Sequence, residues 1–188
     1  MMDLRPPLDF ALKFANESAI TPRALQPDDF YRAFGIAILV WQFVESQLFR
    51  FYFSIHEPDA VNKAGVEFYG KHSFGPKLLL VHKRARARLA TERLAEWNVI
   101  HDELVAASVD RNALAHLTAV ADFQSDNTLS VALAPSIYVP QALVKTKKKY
   151  DTAECKRLAH SFEDLARRLE VFTRSWPASD QALSSTDA

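Results

Sequence analysis

The stretch from Cys155 to Phe172 reads CKRLAHSFEDLARRLEVF. Its apolar residues, Cys155, Leu158, Phe162, Leu165, Leu169 and Phe172, recur at spacings of three, four, three, four and three. On an α-helix that rhythm collects them into one stripe, and the charged residues between them fall on the other side. Such a seam packs into a bundle or pairs with a copy of itself. Asp151 or Thr152 stands where an N-cap belongs, Glu154 suits the positive end of the first turn, and Trp176-Pro177 ends the segment. Cys155 lies on the apolar stripe and reads as a small buried hydrophobe.

The same helical rhythm runs through most of the chain. From Asp28 to about Ile55, Phe34, Ile38, Trp41, Leu48 and Tyr52 share a stripe, with Asp28 and Asp29 as the cap. At about 1.5 Å per residue this helix spans roughly 40 Å, long enough to be the spine of a bundle. A short helix is expected from Asp59 to about Gly70, then one opened by Gly75-Pro76 with Pro76 at its first position. A further one, capped by Thr91, carries Leu94, Trp97, Leu104 and Leu114. Between it and the last helix the character changes. Ala119 to Phe123 and Leu129 to Leu133 are strand-like, and Ser125-Asp126-Asn127 reads as their turn.

The expected fold is therefore all-α: an up-and-down bundle of four to five helices with a small β-hairpin inserted at about 118–134. The helical domain covers 28–176. Pro6, Pro7, Pro22 and Pro27 make residues 1–27 an N-terminal arm, and the Ser-, Asp- and Ala-rich residues 177–188 a flexible tail.

Composition narrows the function classes. A chain of 188 residues with 48% hydrophobic content suits one domain with a sizeable core, and four glycines argue against a turn-rich β fold. One cysteine excludes an internal disulfide, and the six histidines form no ligand pair with it, so neither a metal nor a cofactor is expected. The apolar stretch from Phe34 to Phe53 is broken by Gln42, Glu45, Gln47 and Arg50, which makes it a buried helix and not a membrane span. No secretory signal pattern opens the chain, so a soluble cytoplasmic protein is expected. The chain has no internal repeat, glycine-rich phosphate loop or nucleophile elbow.

The chemistry concentrates in Asp110-Arg111-Asn112-Ala113-Leu114-Ala115-His116. Arg offers a planar fork of donors to phosphate oxygens, and His moves protons near neutral pH. On one continuous helix Asn112 and His116 share a face, whereas Arg111 and His116 diverge by about 140° at about 100° per residue. Either the helix ends or distorts near Asn112, or a second copy completes the site. By spacing, Arg111 shares the face of Trp97 and Leu104, and His116 that of Val105, Val109 and Asn112. The plain alternative is that both residues complement the helix dipole. Glu45, a carboxylate inside an apolar stripe, needs a cation, and Arg111 is the natural partner. A purely structural Arg111 should be tied up by Glu45 or Asp110 with His116 buried; a working one should face a positive cleft with His116 open to solvent.

The string Arg111-Asn112 followed by Ala115-His116, together with the helix carrying Trp41, Glu45 and Leu48 and the closing amphipathic helix, resembles the HEPN superfamily over about residues 28–176. Its signature is an Arg followed a few residues later by a His, often with Asn directly after the Arg. The resemblance implies a metal-independent ribonuclease acting as a homodimer, of the kind found in toxin–antitoxin and defence systems. Arg111, Asn112 and His116 would be its catalytic residues, with Glu45 and Asp110 in support. An antitoxin or other protein is the implied partner. Other members of the superfamily are non-catalytic binding modules. One branch continues the motif to His-x-Tyr, with the Tyr modified by a partner enzyme; here Thr118 stands at that position.

The formal net charge is zero, and basic residues are clustered locally. Lys83, Arg84, Arg86 and Arg88 form one run, read first as the solvated face of a helix. Lys145, Lys147, Lys148 and Lys149 form another on a loop. Either could track an RNA backbone, without sequence specificity.

Overall fold

The computed structural model describes residues 27–56, 61–123, 129–135 and 148–175. Among them are five helices and one hairpin: α1 (Pro27–Ser54), α2 (Val61–Tyr69), α3 (Phe74–Arg88), α4 (Thr91–His116), β1 (Thr118–Phe123), β2 (Leu129–Ala134) and α5 (Thr152–Arg174). The expected all-α bundle with an inserted hairpin is the observed architecture. The expected arm before Pro27, the turn at Ser125-Asp126-Asn127 and the tail after Trp176 lie outside the described residues. No helix among the described residues is long and apolar enough to cross a membrane.

The two strongest stripes in the sequence meet. α1 buries Phe30, Ala33, Ala37, Trp41, Val44, Leu48, Phe51 and Tyr52, and α5 buries its whole seam together with Ala159 and Ala166. These helices form the most extensive pair among the described elements. Aromatic rings knit the others to them. Trp41 meets Phe74 of α3 and Phe162 of α5 edge to face, at centroid distances of 4.7 and 5.0 Å. Phe51 packs on Trp97 of α4 at 4.6 Å and on Phe172 of α5 at 5.1 Å. Edge-to-face packing sets the positive rim of one ring against the negative face of another.

Helix starts follow local chemistry, with two differences from the sequence reading. Asp151 caps α5, its side chain accepting from the Glu154 backbone N at 2.9 Å. Thr91 is the first helical residue of α4 and not its cap; Ala90 holds the cap position without a side-chain bond. Pro76 lies in the first turn of α3, two residues inside its start at Phe74. The first backbone bond there runs from Lys77 N to Ser73 O at 3.4 Å, so the N–H that Pro76 lacks would have had no helical partner.

The hairpin is antiparallel and in register from Thr118 opposite Ala134 to Phe123 opposite Leu129. β2 turns Val131 and Leu133 into the core, while β1 is exposed along its length. The Leu133 N donates to Tyr150 O at 2.9 Å, which joins the hairpin to the approach of α5.

Candidate functional site at the end of helix α4

α4 continues without a break through Arg111 and Asn112 to His116, and the Leu117 N still bonds to Ala113 O at 2.9 Å. The possibility of a helix end or distortion near Asn112 is thus removed. A straight helix keeps Arg111 and His116 on different faces, as the residue spacing requires.

Arg111 points into a groove of about 640 Å³ between α1 and α4. Phe34, Ile38, Trp41, Tyr69 and Leu114 give it apolar walls, and Gln42, Glu45 and Arg111 supply polar groups. Asn112 and His116 do not line this groove; both are exposed on the adjoining face. The Arg111 Nη1 donates to Asn112 Oδ1 at 3.2 Å, so the carboxamide holds the guanidinium rather than the imidazole.

Glu45 sits beside Arg111, as its place on the α1 stripe implies, but its main cation is another. The Lys77 Nζ donates to Glu45 Oε2 at 2.7 Å, and the Trp41 Nε1 donates to Oε1 at 3.0 Å. The Arg111 Nη2 stands 3.8 Å from Glu45 Oε1, beyond hydrogen-bond reach. Lys77 is not apparent from the sequence. It lies thirty-two positions from Glu45, and only the packing of α3 against α1 brings them together. Trp41 was legible as a donor, since it precedes Glu45 by one helical turn.

Asp110 is occupied elsewhere. It accepts from Lys148 Nζ and from Tyr150 Oη, both at 2.8 Å. Lys148 also pairs with Glu154 at 2.6 Å, and Glu154 with Arg157 at 2.6 Å. This cluster fastens the approach of α5 to α4 one residue before Arg111. Hydrogen bonds from Arg157 and Lys148 hold the Glu154 carboxyl down at about 2 against the cost of its burial. Burial pulls the Lys148 ammonium down, but its hydrogen bonds to Asp110 and Glu154 together outweigh this and raise it above its ordinary value.

The candidate RNA contacts divide accordingly. Lys148 is engaged by carboxylates, Lys149 is exposed, and Lys145 and Lys147 lie outside the described residues. Lys83, Arg86 and Arg88 are exposed and Arg84 is half-buried on α3; none of the four lines the groove with Arg111. Among the described residues no three His, Cys, Asp or Glu side chains are placed to hold a metal.

His82 and His101 are the nearest approach to a ligand pair, with ring centroids 4.1 Å apart. The Trp97 Nε1 donates to His82 Nδ1 at 3.1 Å, which leaves the neutral ring its proton on Nε2. The one nitrogen left for a metal is therefore protonated. The pair is a packing element between α3 and α4.

The chain has no match among protein-family models, curated proteins or solved structures.

Proposed function

We propose that this protein is a metal-independent endoribonuclease of HEPN type, working as a homodimer. One observation carries the reading: the motif's cation and imidazole are both available. His116 is exposed, and Arg111, though ion-paired with Glu45 at 3.8 Å, makes no hydrogen bond to it or to Asp110, whose hydrogen bonds from cations come from Lys77 and Lys148 respectively. A guanidinium kept only for structure would be saturated by one of those carboxylates.

In this reading His116 accepts the proton of an RNA 2′-hydroxyl as its oxygen attacks the adjacent phosphorus. The new O2′–P bond replaces the P–O5′ bond, and the departing 5′-oxygen takes a proton from water. Arg111 stabilises the charge that develops on the phosphoryl oxygens, and Asn112 fixes the guanidinium through the bond described above. The nucleophile belongs to the substrate, so DNA, which lacks it, is not cut.

The divergence of Arg111 and His116 on one straight helix supports a site completed by a second copy. The face that leads to His116 suits a two-fold contact, since Val105 and Val109 on it are exposed and carry no charge. A toxin or defence role, with an antitoxin as partner, is the biological setting proposed for such an activity.

The test is cleavage of a labelled mixed-sequence RNA in EDTA by wild type, Arg111→Ala and His116→Ala, each checked for fold. Cutting that survives EDTA and is lost in both folded variants supports the reading. If folded wild type leaves RNA intact, the alternative takes its place: a non-catalytic dimeric HEPN-like binding module in which Arg111 holds a ligand in the groove.

A further inference from the structure

The groove beside Arg111 is larger and more aromatic than the holding of one phosphate requires. Its volume of about 640 Å³ lies in the range of small-molecule sites. Tyr69, the last residue of α2, stands at its edge and is 59% exposed. The ring is nevertheless fixed. Phe49 and Phe68 pack on it at centroid distances of 4.9 and 5.2 Å, and the Lys77 ammonium lies 5.8 Å from its centre. An aromatic face held rigid and left open to solvent is a stacking platform for a splayed base. Phe34 supplies a further apolar wall. The exposed carboxamide of Gln42 also lines the groove and offers a donor and an acceptor side by side. With Lys77 and Arg111 set against the single carboxylate of Glu45, the local charge balance favours an anionic ligand.

We propose that this groove is the subsite for one unpaired purine base of the RNA, with adenine preferred. The base stacks on Tyr69, Gln42 meets the adjacent N6 donor and N7 acceptor of its edge, and Arg111 holds the attached phosphate. The assignment of the ligand to RNA rests on the ribonuclease reading of Arg111. The groove's own chemistry asks only for a nucleotide.

The experiment is isothermal titration of the full chain with AMP, UMP and adenosine, for wild type, Tyr69→Ala, Tyr69→Phe, Gln42→Ala and Arg111→Ala. Wild type binds AMP more tightly than UMP. Tyr69→Ala weakens AMP about tenfold or more, as loss of a stacking partner does, and Tyr69→Phe retains it. Gln42→Ala brings the AMP and UMP affinities together. Arg111→Ala weakens AMP and leaves adenosine unchanged. No AMP binding by wild type, or AMP binding unmoved by Tyr69→Ala, overturns the subsite. RNA cleavage measured in parallel separates the two ideas. Cleavage without AMP binding leaves the ribonuclease and removes the subsite, whereas AMP binding without cleavage does the reverse.

Discussion

Glu45 decides how free Arg111 is. Its carboxylate already has the Lys77 ammonium and the Trp41 indole, and both members of the Glu45–Lys77 pair are largely shielded from water, at 19% and 14% exposure. Glu45→Ala therefore strands a sheltered ammonium and is expected to cost about 1–3 kcal/mol in urea unfolding. Lys77→Met has a different outcome. It releases the carboxylate to Arg111 and lowers RNA cleavage, although Lys77 does not line the groove; Lys77→Met combined with Glu45→Gln restores cleavage. That rescue distinguishes competition for Arg111 from simple loss of fold. His82 gives a pH signature at the same scale. Burial, then the facing His101 and Arg86, depress its pKa, with Asp102 opposing them. The folded state thus binds this proton less readily than the unfolded state. Stability falls as pH drops below the ordinary histidine value and stops falling once the folded His82 has titrated. His82→Gln flattens the decline in chemical unfolding followed from pH 8 to 5. At this scale the sequence was legible where partners are a helical turn apart or share a stripe. Glu45 beside Arg111 follows from the stripes of α1 and α4. Lys77 on Glu45, and Lys148 with Tyr150 on Asp110, join residues more than thirty positions apart, and no periodicity encodes such meetings.

α5 was the most legible element because its stripe is unbroken and its cap is a strong one. Asp151→Ala removes the bond to the Glu154 N and is expected to cost about 0.5–2 kcal/mol, read from the urea midpoint. The Glu154 carboxyl, lowered from 4.5 to about 2 by Arg157 and Lys148, stabilises the fold above its ordinary value. That contribution is lost as pH falls from about 4.5 towards 2. Glu154→Gln lowers stability at neutral pH and shrinks the difference from wild type in acid. Cys155, buried in the same seam with its thiol pushed up to about 11 by desolvation, reacts with a thiol reagent only as fast as the protein opens. The starts of α3 and α4 were less legible. A proline fits several positions of a first turn, and Ala90 caps α4 with no side-chain bond at all.

For the molecule as a whole, the straight course of α4 has the widest consequence. It sends Arg111 into the α1–α4 groove and His116 onto the outer face. The bundle and its hairpin could be read from the chain because local rhythm sets the elements and their apolar stripes set the layers. The groove could not, since α1, α2 and α4 each give it a side chain from a different part of the sequence. A two-fold contact along the Val105–Val109 face predicts that Val109→Glu yields a folded monomer by sedimentation, with RNA cleavage lost. The most direct test of the account is complementation. Arg111→Ala and His116→Ala, each inactive alone, are mixed, allowed to exchange subunits and assayed on RNA in EDTA. A site built from the Arg111 of one copy and the His116 of the other regains cleavage, because one of the two sites in the mixed dimer is intact. A folded, exchanged mixed dimer that remains as inactive as its parents contradicts it.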